Sequence, residues 1–224
     1  MKSNLIFSIT FFIIIATTAI SQTLKDTVVD IDGNVYHTVK IGTQVWMVEN
    51  LNVIHYSNGD AISNVVAGAQ WSKLLTGAYC NYKNDPNNAK TYGRLYNWFT
   101  VNDKRCIAPK GWHIPKFEEF LLLINFLGGE NAADSKLKEI GTNHWKEENK
   151  SSTNESGFTA LPGSSRNFDG SFAGYSSFGC WWSSSECLSE EAWYLNLLKD
   201  STPLGYMLSH NSQNDGYSIR CIKD

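Results

Sequence analysis

One segment of this chain has the apolar period of a helix, and segments with the period of a strand lie on both sides of it. That order limits the fold more than any other feature. Phe117, Phe120, Leu121, Ile124 and Leu127 fall at i, i+3, i+4, i+7 and i+10, an apolar stripe. Pro115 marks the start, where a missing N–H costs nothing, and Glu118 and Glu119 suit the positive end of the helix dipole. Gly128-Gly129 supplies left-handed geometry at the end, and a second, weaker helix is expected over residues 131–140. Upstream, Val35, His37, Val39 and Ile41 alternate with Tyr36, Thr38 and Lys40 after the turn signal Asp32-Gly33-Asn34. Residues 44–50 return as a strand, with Trp46 and Val48 on one face and Val45 and Met47 on the other. Residues 52–92 are loop-like apart from a short strand over 78–82, and residues 93–99 read as a short helix. Residues 164–179 are rich in Gly, Ser and Phe and read as a long loop, followed by strands over 181–186, 192–198 and 217–223. Strands, then helices, then strands argue an α+β fold with antiparallel sheets, two main helices and long ordered loops, not an alternating βαβ fold.

The first residues carry one basic side chain, Lys2; residues 5–20 carry no charge, and Ala19-Ile20-Ser21 gives a small-x-small exit. This is the pattern of a secretory signal peptide over residues 1–21, removed to leave one domain over 22–224 that begins near Gln22. The apolar run, about 16 residues, falls short of the roughly 20 that span a bilayer, and no later stretch is long and apolar enough. The net charge of -3 gives no reason to expect nucleic acid, whose phosphates attract a basic patch.

Export permits disulfides, yet Cys80, Cys106, Cys180, Cys187 and Cys221 are odd in number. Cys180 and Cys187 flank an extended stretch, which separates their Cα atoms by more than about 20 Å, against the roughly 7 Å a bridge tolerates. His113 is the most suggestive histidine, but no carboxylate or second histidine lies at useful spacing, and its ring is expected to bond the loop before the helix. His37 reads as a strand residue; His55, His144 and His210 read as exposed loop residues. No Gly-x-Ser-x-Gly string supports a hydrolase, and no enzymatic activity is expected.

Several strings are similar to blocks of the Fibrobacter succinogenes major paralogous domain family. They are Ile41-Gly42-Thr43-Gln44-Val45-Trp46-Met47-Val48-Glu49-Asn50-Leu51, Tyr92-Gly93-Arg94-Leu95-Tyr96-Asn97-Trp98 and Gly111-Trp112-His113-Ile114-Pro115. Phe158-Thr159-Ala160-Leu161-Pro162-Gly163, Trp181-Trp182-Ser183-Ser184 and Gly216-Tyr217-Ser218-Ile219-Arg220-Cys221 complete the series in order. The family consists of exported bacterial proteins with no general activity assigned. Its blocks also look like those of the C-type-lectin-like superfamily, which includes formylglycine-generating-type enzymes. The resemblance implies a C-type-lectin-like fold whose first and last strands pair. It also implies a Cys106–Cys221 disulfide, which would close a loop of more than about 100 residues and contribute roughly 4–5 kcal/mol. Lys116 departs from the short capping residue the family often carries, and Cys180 and Cys187 lie outside its usual pattern.

Candidate ligand-binding residues are Arg166, Asn167 and Asp169 in the loop after Pro162, and Trp181 and Trp182, one of which could present a platform for a sugar ring. Asp169, Asn167, Asn196 and Asn211 offer the oxygen ligands calcium takes, although Asx residues beside glycine more often form turns. The expected role is a secreted or surface binding module for a polysaccharide or a surface protein, read by residues 52–92 and 163–179. An assembly component of the cell envelope is the alternative, and a cryptic enzyme of the formylglycine-generating superfamily a third.

Overall fold

A computed structural model of the chain describes residues 26–145, 151–199 and 207–224; the expected signal peptide falls outside them. The chain runs β1 (Thr27–Val29), β2 (Val35–Ile41), β3 (Gln44–Met47), β4 (Ser63–Asn64), α1 (Gly68–Trp71), β5 (Ala78–Cys80), α2 (Pro86–Tyr92), β6 (Leu95–Tyr96), α3 (Trp98–Val101) and β7 (Trp112–His113). It continues through α4 (Phe117–Phe126), α5 (Glu130–Leu137), β8 (Ser165–Arg166), β9 (Phe172–Ala173), β10 (Phe178–Leu188), β11 (Glu191–Leu198), β12 (Leu208–Ser212) and β13 (Ile222–Lys223). The mixed α and β architecture is mostly antiparallel, as the order of periods implied. One sheet has the order β1-β2-β3-β13-β7, so the last strand slots beside the N-terminal meander, Ile222 opposite Trp46. A second sheet has the order β10-β11-β12.

Adjacent residues on these strands feed two different cores, because successive strand side chains point to opposite faces. Met47 and Trp182 lie in one core with Tyr36, Tyr96 and Ile219. Trp46 and Trp181 lie in the other with Phe120, Leu123, Ile124 and Phe158. Trp46 stacks on Phe120 at 5.4 Å and meets the edge of Phe158 at 5.7 Å. Both faces of β10 are therefore covered.

Several local expectations are corrected. The helix α4 starts at Phe117, after Pro115, and buries Phe120, Leu123, Ile124 and Leu127 instead of a stripe through Leu121. Residues 117–127 are apolar on almost every side, so the sequence leaves the phase of the helix open and packing chooses it. Lys116 provides no side-chain cap, as expected; the Glu119 carboxylate accepts from its N–H at 2.8 Å, and Ser185 Oγ on β10 accepts from the N–H of Phe117. The expected helix over 93–99 is a strand then a helix. Leu95 and Tyr96 pair with β5, and the Asn97 side chain caps α3 by accepting from the N–H of Thr100. Strand β12 was not foreseen. The expected strand over 217–223 is regular only as β13; Tyr217 and Ser218 make isolated bridges.

Candidate ligand-binding face

The two long loops form one surface. Beneath it sits a small third core of Val65, Trp71, Ala78, Cys80, Tyr82 and Leu95, with Phe172 packed against it. Arg166, on β8, is fully buried and joins the loops. Its Nε donates to Gly170 O at 3.1 Å, Nη1 to Val65 O at 2.6 Å and Nη2 to Val66 O at 2.9 Å. The guanidinium lies 4.5 Å from the Trp71 ring and 4.9 Å from the Phe172 ring. A fork of planar donors suits a row of backbone carbonyls, which a point-charge ammonium would not match. The loops also touch backbone to backbone. Gly170 has φ +85, and a Cβ there would stand 2.4 Å from Gly68 Cα, so only glycine fits.

The hairpin β8–β9 turns through Asn167 to Ser171. Asp169 Oδ1 accepts from Ser171 N–H at 2.8 Å and Ser171 Oγ at 2.6 Å, and these bonds hold its carboxyl below the usual range. The amide of Gly170 donates to Asn167 O, and Asn167 Nδ2 donates to Ser171 Oγ. Asn167 and Asp169 are turn-formers here. At the turn's apex Phe168 is 59% exposed, and beyond β9 Tyr175 is 66% exposed. Lys83 Nζ, from the facing loop, stands 4.7 Å over the Tyr175 ring and 5.6 Å from the Tyr82 ring.

The surface's exposed rings are thus Phe168 and Tyr175, and the expected ones are corrected: Trp181 and Trp182 are both fully buried. Trp182 Nε1 donates to Tyr96 O, and its ring lies 4.4 Å from Tyr217. Arg166 likewise offers no atom to a ligand, since it is fully buried and three of its donors bond the loop backbones. The calcium set is dispersed, with Asn196 on β11 receiving the Cys180 thiol and Asn211 on β12 bonding Tyr217 Oη. Among the described residues, no group of three or more His, Cys, Asp or Glu is arranged to hold a metal.

All five cysteines are free thiols in the structure, so the Cys106–Cys221 bridge is not formed in it. Cys106 is exposed; Cys221 is buried, and burial first, then the nearby Cys106, pushes its thiol well above the usual range. Cys180 and Cys187 lie on the extended strand β10, as their spacing implied. Burial raises the Cys80 thiol to about 11.

Every histidine meets a carboxylate. His37 pairs with Glu49, His55 with Asp32, His144 with Glu139 and His210, on β12 and not in a loop, with Glu191. His113 holds two: Nε2 to Glu119 at 2.9 Å and Nδ1 to Asp224 at 2.7 Å. Burial opposes its charged form, but the two carboxylates prevail and its pKa is raised. Sequence spacing missed this cluster because Asp224 arrives through β13, which pairs with β7. Cys106, Lys116, Glu119 and Ser184 join His113 around a cleft of about 450 Å³. With both ring nitrogens engaged, the imidazole is not a free base.

The family model of the Fibrobacter succinogenes major domain matches residues 39–223. The chain belongs to this family. No curated protein and no solved structure matches it. In this Fibrobacter succinogenes major domain the strings that signalled the family converge on one buried point. Asn50 Oδ1 accepts from Trp181 Nε1 at 2.7 Å and from Arg220 Nη2 at 2.8 Å and Nε at 3.1 Å. Arg220 Nη1 donates to Phe158 O, and the guanidinium stacks on the Phe158 ring at 4.1 Å. Burial lowers the Arg220 pKa to about 9. This junction ties β3, β10 and the final segment together, and it accounts structurally for Trp181.

Proposed function

We propose that the chain is an exported, surface-exposed binding module on a C-type-lectin-like fold, and that its ligand is a polysaccharide. The pairing of β3 with β13, with long ordered loops carried by the sheets, supports that fold. One observation carries the function: two loops are locked by Arg166 into a fixed surface from which Phe168 and Tyr175 project. Fixed aromatic rings surrounded by amide, hydroxyl and carboxylate groups suit sugar rings, whose apolar faces stack while their hydroxyls find polar partners. The test is a glycan array with the secreted chain, run with calcium and with a chelator, beside Phe168→Ala and Tyr175→Ala. Selective binding lost in both variants is expected; binding that survives both refutes this placement.

A second reading, an assembly role in the envelope, rests on α4, where Leu121, Leu122 and Phe126 are exposed together. Concentration-dependent self-association in sedimentation, abolished by Leu122→Glu, would favour it.

A further inference from the structure

The binding face is electrically lopsided, and this narrows the class of ligand. One end, around the β8–β9 turn, carries acids: Asp169 is exposed, and buried Asp215 has its carboxyl raised by burial and by Asp169. The other end carries Lys83, whose ammonium lies against the Tyr175 and Tyr82 rings. The neighbouring acid Asp85 keeps its charge but directs it to the start of α2, where its side chain accepts from the N–H of Asn87 at 2.9 Å. Lys83, Asn84 and Ser176 all have left-handed backbones, with φ 54, 57 and 55, so the lysine and the segment after Tyr175 are held in strained conformations at their point of contact. Underneath lies the guanidinium of Arg166, bonded to three carbonyls.

A cation held beside an exposed ring places a charge and a stacking surface within one sugar's width. Resting on the binding role proposed above, we infer that the Lys83–Tyr175 end takes an anionic sugar unit, a uronate carboxylate or a sulfate ester, with its ring on Tyr175 and its acid group at Lys83. Further units of the same chain then extend toward Phe168, which offers a second exposed ring.

The experiment is calorimetric titration of the full secreted chain with polygalacturonate, dextran sulfate and dextran, at low and high salt. At least one acidic polymer is expected to bind more tightly than dextran, with affinity falling as salt rises. The carboxylate and sulfate arms identify the acid. Lys83→Gln should weaken the acidic polymer about fivefold, the scale of one exposed charge pair, while Lys83→Arg retains it. Because Lys83 is exposed, both variants should keep the parent's melting temperature. Equal binding of dextran, or an unchanged Lys83→Gln, overturns the inference while leaving a Tyr175-dependent neutral-glycan site standing. Failure of every polymer, together with an array that finds no ligand, overturns both.

Discussion

Replacing Arg166 by methionine should release the two loops from each other without unfolding the main cores. The side chain supplies three hydrogen bonds to backbone carbonyls and packs between Trp71 and Phe172. Methionine keeps much of the apolar stem but no donor. Val66 O would keep the amide of Asn84, at 3.1 Å, whereas Val65 O and Gly170 O would lose the donor each has from Arg166. Each buried acceptor left unpaired costs about 1–3 kcal/mol. Relief of the guanidinium's own desolvation, several kcal/mol in such sites, offsets part of that and of the lost charge-assisted bonds. The net loss expected is about 3 kcal/mol, a fall in Tm of roughly 10 °C for a chain of this size. Urea denaturation measures the total. Amide hydrogen exchange locates it: protection should fall first at Val65, Gly170 and Gly216, whose N–H groups bond Tyr79 O, Asn167 O and Arg166 O. Arg166→Met within about 1 kcal/mol of the parent, with those amides equally protected, would refute the clamp.

Gly170→Ala combines left-handed strain with a backbone clash and should cost about 2–4 kcal/mol, whereas Gly33→Ala, with φ +83 and nothing within 4 Å of the added Cβ, should cost about 1 kcal/mol; similar melting shifts would show that the loop contact is not tight. Asp215 is pushed up to about 6, chiefly by burial, so the folded state disfavours its charged form and stability should fall as pH rises from about 4 to 6. Asp215→Asn should therefore be more stable by about 1–3 kcal/mol at pH 7, with the gain vanishing below pH 4; a gain independent of pH would refute the assignment. His113 changes stability in the same direction for a different reason, because its charged form is the favoured one: its raised pKa gives stability that is present below the ordinary value and lost as pH rises through the folded one, so His113→Ala should hurt most in acid, as melting curves against pH would reveal. Under native reducing conditions a thiol reagent should modify Cys106 and spare Cys80, Cys180 and Cys221, and after oxidation non-reducing peptide mapping should join Cys106 to Cys221; recovery of both in alkylated form would reject that bridge.

The period of each segment was readable without a structure, and so were the features that follow from period alone. Alternation on residues 35–41 and 44–50 gave β2 and β3 with Trp46 and Met47 on opposite faces, and the extended stretch between Cys180 and Cys187 gave β10. The order of these segments implied the α+β class, and the motif strings implied the family. These are local properties: strand geometry fixes which neighbours share a face, and a string either fits a family block or does not. What lay beyond reach depends on which distant segments meet. The phase of α4 was open because Leu121, Leu122 and Leu123 are equally apolar, and only the core lined by Trp46 chose Leu123. The burial of both Trp181 and Trp182 required a core on each face of one strand, which a sequence pattern cannot distinguish from one core and one wet face. Asp224 reached His113 through strand pairing across 111 residues. The candidate site moved for the same reason: Arg166, conspicuous as a charge in a loop, found carbonyls about 100 residues earlier and became the clamp, leaving Phe168, Tyr175 and Lys83 outside. A buried charge must find partners wherever the fold supplies them, and that requirement is settled in three dimensions.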